Sequence, residues 1–301
     1  MTDTQNEVFK TPVNKIRLFE HGAPGSQNLK LTRKYYTEDM PDGRVKHIVQ
    51  NITDPDIVPY IPDGIGNSTD RQRIPAVLII PGGAFRRLVY NFEGEDVAKW
   101  LNSMGIAAFV LECRLPSDEH DNAEDVPLID AMRAMRVIRG RAQEFGIDEA
   151  KIGVMGFSAG GFMAALLSTA YESDVYADYK YKDEYDKLSA RPDFAVCSYP
   201  VISIDDCIEA GKRYMSEEQV LERISDSKAK ILHKYNPDKL VRPDMPPVFI
   251  CETDDDRTTL SENSVGFYMA ARKAGVSAEL HIFRTGGHGY GCGDDSAQTG
   301  E

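Results

Sequence analysis

The sequence predicts a doubly wound α/β fold, a mostly parallel sheet with helices on both faces. Three observations carry that expectation. Residues 75–80 are a continuous apolar run of strand length that stops at Pro81-Gly82-Gly83, the pattern of a strand buried on both faces. Similar runs stand at 106–111, 151–155, 194–199, 247–251 and 278–283. Helical stretches separate most of them, and that alternation gives βαβ units with parallel pairing.

Taken in order, residues 1–30 lack periodicity and read as an irregular extension, while 31–301 read as one domain. A chain of 301 residues with 42% hydrophobic content suits a single large core. Short strand-like runs appear at 47–52 and 57–61. The clearest helix spans 128–144, where Leu128, Met132, Met135 and Ile138 recur at helical steps, with Pro127 in the first turn and Gly146 past the end. A second helix, 262–274, opens with Thr259-x-x-Glu262 as a capping box and stops at Gly275. Two segments interrupt the alternation. Residues 171–193, rich in Tyr, Asp and Lys, read as a solvated connection. Residues 202–246 look helical and exceed a simple crossover, so they read as a small helical lid insertion over the strand ends, where such sheets place ligands.

Charge and composition exclude several classes of partner. A net charge of −13, with basic residues scattered among acids, argues against nucleic acid. Cys113, Cys197, Cys207, Cys251 and Cys292 include no Cys-x-x-Cys pair, which fits neither a zinc site nor a disulfide framework; several sit inside apolar runs and read as small core hydrophobes. Residues 1–10 are polar, and no segment is long enough to span a bilayer, so a cytoplasmic protein that does not enter the membrane is expected. The sequence leaves homo-oligomerisation undecided.

Gly156-Phe157-Ser158-Ala159-Gly160 matches the Gly-x-Ser-x-Gly nucleophile elbow, with a strand-like run directly before it and an apolar helical run directly after. A serine hydroxyl is a weak nucleophile near neutral pH and needs a base, which a carboxylate in turn orients. Of the six histidines, His288 lies in Gly286-Gly287-His288-Gly289 beyond the last strand, on a loop free to reach back over the strand ends, whereas His281 sits inside the strand pattern. Asp254, Asp255 and Asp256 follow the 247–251 strand and are the candidate acids. Backbone N–H groups for an oxyanion are expected from Ala159 and from Gly83 and Ala84.

These residues, with Glu112-Cys113-Arg114-Leu115-Pro116, Arg191-Pro192-Asp193 and Glu262-Asn263-Ser264, resemble the acetylxylan esterase-like and lipase-like branch of the α/β-hydrolases over about residues 74–290. Alignment on Glu-Asn-Ser implies Asp256 as the acid. The chain departs from that branch at Ala84, Cys113 and Thr258. The resemblance implies an α/β-hydrolase fold and a serine esterase that forms an acyl-enzyme, without metal or organic cofactor. The expected partner is a small-molecule ester, foremost a short acetyl ester of a sugar. Phe85, Tyr90, Phe92 and Tyr290 are candidates to stack on such a ring. An amide, formamide or peptide hydrolase with the same triad is the nearest alternative, and a non-catalytic binding protein on this scaffold is the alternative from another class.

Overall fold

Branched apolar side chains dominate the central strands of the computed structural model, which describes residues 9, 13–65, 73–213, 216, 218–220 and 227–293. In chain order the strands are β1 (Ile16–Arg17), β2 (Lys34–Asp39), β3 (Val45–Gln50), β4 (Asp56–Tyr60), β5 (Ile74–Ile80), β6 (Leu88–Val89), β7 (Ala107–Glu112), β8 (Ile147–Phe157), β9 (Ala195–Ser198), β10 (Val248–Thr253) and β11 (Ala278–Phe283). Eight of them form one sheet in the order β1-β4-β7-β5-β8-β9-β10-β11. Pairing is parallel from β7 to β11 and antiparallel only where β4 meets β7 and β1. A small antiparallel sheet, β2-β3-β6, stands apart.

The helices are α1 (Asp96–Ser103), α2 (Val126–Gly140), α3 (Ala142–Phe145), α4 (Ala159–Ala170), α5 (Ile204–Lys212), α6 (Ser227–Lys234) and α7 (Ser261–Lys273). The crossover from β5 through α1 to β7 runs one way along the sheet, and those through α2, α4 and α7 run the other. With right-handed crossovers, α1 then covers one face and the other three cover the opposite face. The loops after the neighbouring strands β5 and β8 leave in opposite directions, which makes a topological switch point between them, the crevice where such sheets bind ligands. Pro81 follows β5 and Ser158 follows β8.

Four sequence expectations need correction. The 128–144 helix is two, because α2 ends at Gly140, a poor helix former, and a non-helical Arg141 (φ −103°, ψ 16°) precedes α3. The extension is not wholly irregular: Ile16–Arg17 pairs with β4, and Leu18, Phe19 and Ala23 are buried in the core. Its residues 1–8 and 10–12 lie outside the described residues. The 171–193 segment is docked rather than solvated, since Tyr171, Tyr176 and Ala190 are buried and Arg133 on α2 pairs with Asp183 and Asp186. The Thr259 capping box is absent, because Leu260 is the N-cap of α7 and the Thr259 hydroxyl bonds elsewhere.

The segment expected to form a lid carries α5 and α6, while 214–215, 217 and 221–226 fall outside the described residues. Lys234 and Tyr235, at the end of α6, both donate to Asp125 in front of α2. At its base, the Asn263 side chain accepts from the N–H groups of Ile202 and Ser203 at 2.9 and 3.0 Å. Cys113 and Cys197 are buried as expected, but Cys292 is exposed. Among the described residues no helix is long and apolar enough to cross a membrane.

Candidate active site

The elbow is built by what its neighbours exclude. A Cβ on Gly156 would run into the Gly160 carbonyl, and one on Gly160 into the Ile80 carbonyl, so only hydrogen fits at either position. Between them Ser158 takes φ 53° and ψ −116°, a strained conformation for a residue with a side chain. Its N–H donates to the Ser198 carbonyl at the end of β9, and its own carbonyl accepts from Phe162 inside α4. These bonds hold the turn while the side chain projects beyond the strand ends.

The structure brings Ser158, His288 and Asp256 together. Ser158 Oγ lies 2.9 Å from His288 Nε2, and His288 Nδ1 lies 2.6 Å from Asp256 Oδ2. Asp256 Oδ1 accepts from the N–H groups of Thr258 and Thr259, and Oδ2 also accepts from the Thr259 hydroxyl at 2.9 Å. Burial alone would raise the Asp256 carboxyl. The hydrogen bond and charge of His288, with the two backbone donors, more than offset it and hold the group below its ordinary value. An ionised carboxylate fixes the proton on His288 Nδ1 and leaves Nε2 to accept one from serine. Next to it, burial pushes the Glu252 carboxyl up to about 9, against partial relief from the Thr253 N–H.

Gly82 and Ala159 line one cavity, and Gly83 and Ala84 follow Gly82 in the loop after β5. Ala159 begins α4, so its N–H has no acceptor inside the helix. Gly83, Ala84 and Phe85 follow one another with φ of 138°, 58° and 60°, so the loop after β5 is held in a conformation that costs energy in ordinary chains. Among the described residues, no hydrogen bond engages the N–H of Gly83, Ala84 or Ala159, so all three remain available to an oxyanion.

The aromatic candidates divide. Phe85 packs edge-on against Phe162 and lines a cavity of about 10 Å³ with Leu88, Leu115, Pro116 and Met163, beside Gly82 and Ala159. Tyr90 is 1% exposed and spends its hydroxyl on Tyr60, which leaves no face for a substrate. Tyr290 stacks edge-on against Tyr199, and Phe92 carries the Arg44 guanidinium over its ring.

The resemblance motifs outside the relay are structural. Arg114, fully buried, pairs with Asp130 on α2 and reaches Ser26. Asp193 accepts from the Ile152 N–H and positions β8. Sequence reasoning missed Thr259, Glu93 and Tyr199. Asp256-x-x-Thr259 spacing, suited to a side chain bonding local backbone, is a signal for the first; no local signal exists for the other two.

A serine at a strand-to-helix elbow, at the switch point of a doubly wound sheet, with Asp and His following in that chain order, defines an α/β-hydrolase fold. The chain belongs to the BD-FAE family, whose pattern matches residues 65–270. It is 31% identical over 220 residues to the acetylxylan esterase of Xylanibacter ruminicola, a match covering 72% of this chain and 41% of that protein. It is also 31% identical over 232 residues to endo-1,4-beta-xylanase B of Butyrivibrio fibrisolvens, covering 77% of this chain and 35% of the relative. The chain therefore matches less than half the length of these curated relatives. Among solved structures, the acetyl ester-xyloside bifunctional hydrolase of Caldicellulosiruptor lactoaceticus is 38% identical with a TM-score of 0.63, covering 80% of this chain and 82% of that one. The carboxylesterase Cest-2923 of Lactobacillus plantarum, at 20% identity, TM-score 0.64 and 88% coverage of both chains, supports the fold.

Proposed function

We propose that the protein hydrolyses carboxylic esters through an acyl-enzyme on Ser158, with acetyl esters of carbohydrates as its substrates. The observation that carries this reading is the continuous relay from Ser158 Oγ through His288 to Asp256, at 2.9 and 2.6 Å. His288 Nε2 takes the serine proton as Oγ attacks the ester carbonyl, and the N–H groups of Gly83, Ala84 and Ala159 receive the oxyanion. Collapse breaks the bond to the alcohol oxygen, which leaves with the proton from His288. Water then attacks the acyl-serine, His288 removes a proton from it, and the carboxylic acid departs as that proton returns to Ser158.

Two facts favour a short acyl group on a sugar. The cavity beside the oxyanion loop offers about 10 Å³, the room of one small group. Two relatives carry names that point the same way, an acetylxylan esterase and an acetyl ester-xyloside bifunctional hydrolase. In the cytoplasm, imported acetylated oligosaccharides or monosaccharides would fit, since polymeric xylan does not enter a cell.

Specificity constants for p-nitrophenyl acetate, butyrate and octanoate, with acetate release from acetylated xylo-oligosaccharides, test the reading. Burying a methylene contributes about 0.8 kcal/mol, so a site with room for longer chains would favour them, and acetate should win only where that room is missing. Ser158→Ala should lose turnover by at least about 10⁴-fold while remaining folded, and fluorophosphonate should label the wild type alone. A preference for octanoate, or no acetate from any acetylated sugar, would remove the carbohydrate reading. Unimpaired Ser158→Ala would remove the nucleophile.

A further inference from the structure

A buried carboxylate with no part in the proton relay joins both sides of the site. The π-helical turn Asn91–Glu95 directly precedes α1, and such turns often mark functional positions. Glu93 projects from it and is 5% exposed. One carboxylate oxygen accepts from the Gly82 N–H at 2.8 Å, and the other accepts from the Tyr199 hydroxyl at 2.9 Å. Gly82 opens the loop that carries Gly83 and Ala84, and a Cβ at Gly82 would stand only 2.7 Å from the carboxylate. Tyr199, fully buried at φ 37°, accepts from the Gly291 N–H at 3.0 Å, three residues past His288. The Tyr199 ring also meets the His288 ring edge-on, with centroids 5.1 Å apart. The same turn touches the histidine loop a second time, since the Phe92 carbonyl lies against Gly291.

We propose that Glu93 is a positioning residue that locks the oxyanion loop to the histidine loop through Gly82 on one side and Tyr199 with Gly291 on the other. The inference rests on the ester-hydrolase reading, because it gives Glu93 the task of setting the distance between oxyanion donors and general base. Burial pushes the Glu93 carboxyl up, and the Tyr199 hydroxyl, the His288 charge and the Gly82 N–H pull it back. A carboxylate deep in the protein is retained at a desolvation cost; one of its donors opens the oxyanion loop, and the other, the Tyr199 hydroxyl after β9, in turn holds the histidine loop through Gly291.

Substitution separates this role from ordinary packing. Glu93→Leu keeps the bulk and removes both acceptors, so kcat should fall by about 10²-fold, measured well below Tm, with KM held within about threefold. Glu93→Gln can accept from Gly82 and donate to a reoriented Tyr199 hydroxyl, so it should restore kcat to within about threefold of wild type. Glu95→Gln, whose target pairs with Lys99 at 2.7 Å, serves as the unaffected control on the same turn. Where Glu93→Leu fails to fold, Tyr199→Phe removes one hydroxyl and should lower kcat by about tenfold at constant KM. A lowered Tm with wild-type kcat in Glu93→Leu, or in Tyr199→Phe where the first does not fold, overturns the proposal. So does an equal loss in the Gln and Leu variants, which would trace the effect to charge. Absence of ester turnover in the wild type overturns the hydrolase reading and this inference together, whereas an active wild type with an unimpaired Glu93→Leu overturns the inference alone.

Discussion

Asp254 and Asp255 are exposed, whereas Asp256 is 3% exposed and lies 2.6 Å from His288 Nδ1. Asp255 has a local duty, accepting from the Gly287 N–H at 2.8 Å. Asp256→Asn should therefore lower turnover by up to about 10⁴-fold through the wrong imidazole tautomer, with Asp254→Asn near wild type and Asp255→Asn in between. Steady-state kinetics on one acetyl ester measure this, and a larger loss at Asp254 would break the assignment. At this scale the elbow and the glycine-flanked histidine could be read from the sequence, because each is a local pattern whose spacing has one chemical use. Thr259 was open to misreading: the same three-residue spacing to Glu262 suits a capping box and to Asp256 suits a side-chain turn, and only the fold decides between them. Glu93 and Tyr199 could not be read at all, since the link between them joins residues 106 apart in the chain and burial of a carboxylate leaves no periodic trace.

At the scale of elements, strand positions were readable because a strand buried on both faces has no polar alternation to blur it. The edges were harder: β1 is two residues long, and β2 mixes Tyr with charged side chains. Docking of 171–193 was unreadable because its anchors, Arg133 and Arg136, belong to α2 and face acids and a tyrosine some forty to fifty residues on. Ion pairs also hold the end of β7 to α2. Arg114 donates from Nε and Nη2 to Asp130, and from Nη1 to Ser26 Oγ at 2.8 Å, with both partners of the ion pair fully buried. Removing one member of a buried pair leaves the other charge uncompensated. Asp130→Ala is expected to cost about 3–5 kcal/mol in denaturant unfolding. A loss below about 1 kcal/mol would mean that Arg114 is satisfied without Asp130.

Over the whole molecule one apolar cluster runs from Leu18 to Val276, and buried carboxyls set its response to pH. Glu252, fully buried beside the relay, accepts from the Thr253 N–H and the Ser264 hydroxyl, and burial lifts it from 4.5 to about 9. Above 4.5 the unfolded chain has released this proton, while the folded chain keeps it until about 9. The unfolded state then binds fewer protons, so stability falls as pH rises through that window and levels off above it. Other groups act elsewhere: Asp56 and Asp118, raised to about 6 by burial, act with the same sign below that value. Burial lowers His120 from 6.5 to about 4, so it makes stability rise with pH only below 6.5. Between about pH 6.5 and 8.5 Glu252 makes stability fall as pH rises, and Glu93 and Asp130, also raised by burial, act with the same sign. Glu252→Gln keeps an acceptor for Thr253 and carries no proton to lose. Its Tm should decline less steeply across that interval than the wild-type Tm, so the gap between them widens toward alkaline pH. Calorimetric melts of both proteins at a series of pH values decide it, and parallel curves would show that Glu252 does not retain its proton in the folded protein.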